Sequence, residues 1–156
     1  MQEELFFGEQ LVMSDLYKKV NFIPKVPATL HHIDPYEVEK LPSDYPLVYS
    51  TYAVSKELHD WVQKHFDFDV MVNYQIIKGQ TPIHKDTKYG REICWNYIIT
   101  SGGKNIATRF WNDNATWLLE EIVFKDRTWY EIDVTVNHDV TNVRGHRLAI
   151  TVWPAE

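Results

Sequence analysis

After about residue 70 the apolar residues of this chain recur at every second position in a series of short segments that runs to residue 153. Seven segments carry the pattern: MVNYQIIK (71–78), TPIHK (81–85), REICWNYIIT (91–100), IATRFWN (106–112), WLLEEIVF (117–124), TWYEIDVTV (128–136) and HRLAITVW (146–153). Each is rich in β-branched and aromatic residues. Turn signals separate them at Lys78-Gly79, Tyr89-Gly90, Ser101-Gly102-Gly103, Asn112-Asp113-Asn114 and Gly145. A period of two belongs to strands, and strands with no helices between them cannot be joined as a parallel sheet. The expected fold is therefore all-β dominated, a double-stranded β-helix or jelly roll. One flanking helix is expected before it in SKELHDWVQKHF, with Ser55 as N-cap and Leu58, Trp61, Val62 and Phe66 on one face. Residues 1–46 hold Pro24, Pro27, Pro35, Pro42 and Pro46 and read as an irregular N-terminal arm with short strands. At 156 residues the chain suits one domain, 1–156.

Sixteen basic against twenty-two acidic residues give a net charge of −6, which argues against a general nucleic-acid or membrane-surface binder. Cys94 is the single cysteine, so an internal disulfide is impossible and a cysteine zinc site is disfavoured. No run approaches the roughly 18 apolar residues of a membrane span. The start, MQEELFFGEQ, lacks the basic and apolar regions of a secretion signal. The expected compartment is cytoplasmic and reducing.

Among seven histidines, His84 stands out because Asp86 follows it in PIHKDT. Residues two apart on a strand share a face, so an imidazole and a carboxylate project side by side. A second imidazole from a distant strand completes a two-His-one-carboxylate triad, which holds non-haem Fe(II) and leaves coordination positions open. By itself the triplet is equally a surface polar pair. The run NHDVTNVRGHRLAITVW adds His138 and, nine residues on, Arg147. The strand after Gly145 places Arg147, Ala149, Thr151 and Trp153 on one face and Leu148, Ile150 and Val152 on the other. An arginine on a buried face needs an anion, and its planar fork suits a carboxylate. In this reading His138 is the third ligand, and Arg147 grips the far carboxylate of an acid whose other end chelates the metal. The alternatives are a structural salt bridge for Arg147 and His146 as the third ligand.

Together, HxD, the distal histidine and the arginine beyond it resemble the Fe(II)- and 2-oxoglutarate-dependent dioxygenase superfamily. HDVTNVRGHRLAITVW is similar to the C-terminal motif of its prolyl hydroxylase-like branch. MVNYQIIKGQTPIHKD resembles the same branch through a tyrosine ten residues ahead of the first ligand, here Tyr74. The resemblance covers residues 70–153, which would be the catalytic core, and the first third has no counterpart. It implies that His84, Asp86 and His138 bind Fe(II) as the catalytic centre. It implies further that Arg147 anchors the C5 carboxylate of 2-oxoglutarate, with Thr151 and Trp153 beside it and Tyr74 near the metal. The family adds a hydroxyl or amide donor from the strand after HxD. Asn96 and Tyr97 face opposite ways there, and Tyr97 is the preferred candidate. The implied activity takes O2 and 2-oxoglutarate, releases succinate and CO2, and hydroxylates a small-molecule or peptide substrate.

Two other classes fit the same residues: a cupin-like metal-dependent enzyme that does not use 2-oxoglutarate, for which Arg147 is dispensable, and a non-catalytic jelly-roll binding module. Lys78, Lys85, Lys88 and Arg91 surround the HxD triplet with Asp86 the only acid between them, either to recruit an anionic substrate or to solubilise a rim. Asn73 and Gln75 flank Tyr74 as candidate contacts or ladder-end residues. Arg109 is a substrate contact or a surface ion pair. Trp95 and Trp111 belong to the core or to a substrate wall. That wall is expected from residues 1–46 and 101–117, with Tyr36, Tyr45, Trp111 and Trp117. Cys94 reads as a small buried hydrophobe.

Overall fold

Alternating strands leave an apolar face that must be covered, and here the chain covers it by winding between two sheets. The computed structural model of the protein describes residues 15–33, 39–43, 48–87 and 90–155. In chain order these form β1 (Tyr17–Lys19), a 3-10 turn (Ala28–Leu30), β2 (Lys40–Leu41), β3 (Tyr49–Ala53), α1 (Lys56–Gln63), β4 (Val70–Ile77), β5 (Ile93–Thr100), β6 (Ala107–Trp111), β7 (Leu118–Ile122), β8 (Trp129–Asp133), β9 (Asn137–Thr141) and β10 (Arg147–Pro154). The larger sheet has the order β1-β8-β5-β10-β4-β3-β2, the smaller β7-β6-β9, and their pairs are antiparallel. From β4 onward the chain crosses repeatedly from one sheet to the other, and an isolated bridge between His84 and His138 extends the smaller sheet beyond β9. This winding is the jelly roll expected from the sequence.

The helix forms where the sequence placed it. The Ser55 hydroxyl accepts the Leu58 N–H at 3.2 Å, Glu57 occupies the first turn, and Leu58 and Val62 are fully buried. TPIHK shortens to the single bridge at His84, whereas β9, whose residues NHDVT carry no apolar alternation, is a strand.

The larger sheet is buried on both faces. Its inner face sends Cys94, Ile98, Ala149 and Trp153 towards Phe110 of the smaller sheet. Its outer face carries Val72, Tyr74, Trp95, Tyr97, Ile150 and Val152. Leu58 and Val62 of α1 and Ile23, Val26 and Leu30 of the arm cover that outer face. Residues 20–33 thus cover the back of the sheet, whereas Leu41, Pro42 and Ser43 of the arm line the groove outside the inner cavity. Trp129 Nε1 donates to the Pro24 carbonyl at 2.9 Å and fastens this cover. Among the described residues, no helix is long and apolar enough to cross a membrane.

The entry to β10 depends on Gly102. Its φ of +87° suits glycine, and a Cβ there would come within 2.9 Å of the Arg147 nitrogen. Its carbonyl accepts the N–H groups of Arg144 and Gly145 at 3.1 and 2.9 Å, pinning the loop before Arg147. Gly102→Ala is expected to destabilise the protein by about 2–3 kcal/mol through combined backbone strain and overlap. Urea unfolding should show a lower midpoint with an unchanged slope.

Candidate metal centre

His84 and His138 face each other across a narrow antiparallel bridge. Each backbone N–H donates to the other's carbonyl, at 3.0 Å from His84 and 2.8 Å from His138, which brings the ring centroids to 4.6 Å. The Asp86 N–H continues the pairing to the Val134 carbonyl at 3.0 Å. His84 and Asp86, two residues apart, therefore project to the same side. Asp86 Oδ2 lies 3.1 Å from His138 Nε2, and its Oδ1 lies 3.4 Å from His84 Nε2. One ligand atom from each of the three residues lies within 4.8 Å of the others, so the group could hold a metal ion.

The same local device orients both imidazoles. His84 Nδ1–H donates to the Pro82 carbonyl at 2.7 Å, and His138 Nδ1–H to the Val136 carbonyl at 2.8 Å. A carbonyl only accepts, so each Nδ1 carries the proton and each Nε2 is the atom offered to a metal. With hard carboxylate and borderline imidazole donors, the set fits a divalent first-row ion. Burial opposes the charged form of His84, but Asp86 outweighs it and the pKa rises. Asp86 is also opposed by burial, yet the two imidazoles hold its pKa well below the usual carboxylate range. The depressed Asp86 stabilises the fold above about pH 4, and the raised His84 stabilises it below about pH 6.5. In the metal-free protein both contributions are complete only between those limits.

Behind His138, Asp139 points to the opposite face of β9 and is fully buried. Arg109 grips it with two bonds of 3.0 and 2.6 Å, and Trp111 Nε1 donates at 3.1 Å. Arg109 in turn stacks on Trp111, 4.9 Å from the ring centroid. These residues clamp β9 to β6 and so hold the backbone that carries His138. The arginine is a structural partner here, not a substrate contact.

The triad opens into a cavity of about 70 Å3 between the sheets, whose walls also include Asn96, Arg147, Thr151 and Trp153. Arg147 is only 4% exposed, and among the described residues its Nη1 has no hydrogen-bond partner. Burial pushes its pKa down to about 10, a nearby Asp126 charge opposing, so it stays charged at neutral pH. Asn96 Oδ1 is likewise buried without a partner. The preference for Tyr97 is reversed. Its side chain lies on the outer face, where its hydroxyl accepts the Val26 N–H at 3.2 Å and its ring packs on Trp129. Tyr74 is corrected in the same way: its hydroxyl meets the Leu30 and His32 carbonyls, each at 3.1 Å, on the far side of the sheet. The residues facing inward are their neighbours Asn96, Asn73 and Gln75, which line the inner cavity or the groove outside it. His146 is exposed and does not belong to the group of potential ligands. Cys94 is buried on the cavity wall, its thiol pKa pushed up by burial and by the Asp86 charge. Trp95 lies in the outer core, and Trp117 is 70% exposed. Of residues 101–117, Thr108 alone borders the cavity or the groove. Tyr36, Tyr45 and Lys88 lie outside the described residues.

No family model matches the chain, and no curated protein matches it. Among solved structures it is similar to the oxalate decarboxylase of Bacillus subtilis, a protein with Mn(II) centres, at 9% identity and a TM-score of 0.49. That alignment covers 76% of this chain and 28% of the decarboxylase, so the chain spans less than a third of that protein's length. It is also similar to the polyketide cyclase RemF from Streptomyces resistomycificus, at 12% identity and a TM-score of 0.47, over 80% of this chain and 79% of the cyclase. At such identities the likeness is one of strand arrangement.

A metal must compete with the proton that Asp86 favours on His84. Affinity for Co(II) or Zn(II) is therefore expected to fall as pH drops below neutrality, by about tenfold per pH unit for each proton displaced. Titration in a weakly buffered indicator should show proton release in the wild type and none in a His84→Ala, His138→Ala variant. Asp139→Asn should cost about 3 kcal/mol of stability by breaking a buried pair, measurable by urea unfolding.

Proposed function

We propose that the protein is an Fe(II)- and 2-oxoglutarate-dependent oxygenase acting on a small-molecule or peptide substrate. The observation that carries this reading is Arg147: a buried guanidinium with an unpartnered Nη1, on the same cavity wall as the triad. Burying a charge is costly, Asp126 offsets only part of that cost, and a carboxylate brought in by a ligand would give Nη1 its missing partner. His84, Asp86 and His138 would hold the iron, with each imidazole fixed by its Nδ1 bond to a backbone carbonyl. Bound iron and 2-oxoglutarate together supply the oxidising chemistry, in which O2 is consumed, succinate and CO2 are released and the substrate gains a hydroxyl. Arg147 would take the distal carboxylate as a two-pronged donor, with Thr151 as a hydroxyl partner two turns of the pleat along the same face. Asn96 would donate from its amide nitrogen while its Oδ1 accepts from a bound group. The apolar walls, Phe124, Val134 and Ile132 among them, exclude water from the reacting atoms.

A second reading, a cupin-like metal-dependent enzyme that does not use 2-oxoglutarate, is favoured by the size of the inner cavity. Its 70 Å3 is well below the roughly 150 Å3 that admits benzene in an engineered apolar cavity.

One experiment separates the two. Anaerobic addition of Fe(II) and 2-oxoglutarate should produce a weak visible charge-transfer band, absent in Arg147→Met. The same variant should unfold with unchanged or higher stability, by up to about 3 kcal/mol, because it removes a buried guanidinium whose Nη1 has no partner. A wild-type protein that binds iron tightly but gives no band would support the second reading.

A further inference from the structure

Two polar atoms on the wall of the inner cavity are buried without a partner among the described residues, and they ask for opposite things. Arg147 Nη1 only donates, so it needs an acceptor. Asn96 Oδ1 only accepts, so it needs an N–H or an O–H. At neutral pH 2-oxoglutarate offers carboxylates and a ketone, all of them acceptors. It can complete Arg147, but it brings nothing to Asn96.

Asn96 belongs to a row. On β5 it stands opposite Thr151 of β10, which stands in turn opposite Asn73 of β4. The three therefore share the inward face at the centre of the larger sheet, and with strands about 4.8 Å apart the row is roughly 10 Å long. Asparagine is depleted in strands, and Asn73 and Thr151 are buried there besides. Apolar residues at these positions would serve the fold better. An amide and a hydroxyl each both donate and accept, so the row suits a neutral polar group more than an ion. Thr151 borders the inner cavity and also the recess outside it, which Asn73 lines. The row thus leads outward from the wall of the triad's cavity.

Resting on the oxygenase reading for the identity of the co-substrate, we propose that Asn96 is a specificity-determining residue whose Oδ1 accepts a hydrogen bond from a neutral N–H or O–H of the primary substrate. The substrate would lie across the row, with Thr151 and Asn73 as its further polar partners. A compound of the same shape that carries only acceptors, such as an ester or an ether, would leave Oδ1 buried and unbound. A site that hydrogen-bonds its ligand in this way discriminates against the analogue lacking the donor.

The test is ligand-observed NMR on the full chain loaded with Zn(II), with and without 2-oxoglutarate, using two pairs of probes matched in shape. N-methylbutyramide carries an N–H where methyl butyrate has an ester oxygen, and n-pentanol carries an O–H that butyl methyl ether lacks. In at least one pair the donor is expected to bind about tenfold more tightly than its partner, and which pair it is tells an amide substrate from an alcohol. Asn96→Leu, close in size, should abolish that preference and leave the thermal midpoint unchanged or raised. Asn96→Ala takes its place if melting shows the leucine variant unfolded. Equal binding within both pairs, as a water already held on Oδ1 would give, overturns the proposal. No binding of any probe, or a preference that survives the loss of Asn96, overturns it as well. The charge-transfer band reports separately on the oxygenase reading, so a missing band with an intact donor preference would remove that reading and leave Asn96 assigned.

Discussion

The two backbone hydrogen bonds between His84 and His138 hold the site together. They join a segment too short to be a strand to β9, which β6 already holds along its length. The bond from Asp86 to Val134 extends the pairing by one step and sets the carboxylate between the two imidazoles. The triad thus follows from main-chain geometry, and its side chains need only the local Nδ1 contacts to settle their tautomers. The jelly roll contributes by bringing residues far apart in sequence to the same end of the smaller sheet, where β6 and its Arg109–Asp139 clamp hold β9 flat.

Around this centre the protein carries polar groups that its own fold does not satisfy. Arg147 and Asn96 both have buried atoms without partners, and both face the cavity. Buried polar groups are normally paired, and these two exceptions, among six in the described residues, lie on the wall of the cavity that holds the triad. The stability that this arrangement gives up is recovered elsewhere. The larger sheet is covered on both faces, and the arm, although irregular, buries Ile23, Val26 and Leu30 over its back.

Much of this was legible in the sequence, and what was not has physical reasons. The period of two, the Ser55 cap and the alternation of β10 all follow from apolar spacing. β9 was not legible because its inward residue is His138 and its outward one Asp139; both faces are buried by polar groups, which leave no hydrophobic signal. The facing of Tyr74 and Tyr97 was misjudged because His84 does not sit in a regular strand, so its parity does not carry to β4 or β5. The signal that finds the right residues lies in β10. Directly opposed residues share a face, and Thr151 stands opposite both Asn73 and Asn96, while Ile150 stands opposite both tyrosines. Once β10 is read as having Arg147 and Thr151 inward, the asparagines must face inward with them.

The place of β10 in the larger sheet bears on how the chain reaches this state. It lies between β4 and β5 and pairs with both along most of its length, yet it is the last strand described. Until residue 154 has been synthesised, β4 and β5 each lack their central neighbour, and the arm and helix have no finished surface to cover. The contacts that close the sheet span long stretches of sequence, which places folding in the slow, non-local class. In a nascent chain the facing edges of β4 and β5 would stay open until β10 had been made and could pair with both.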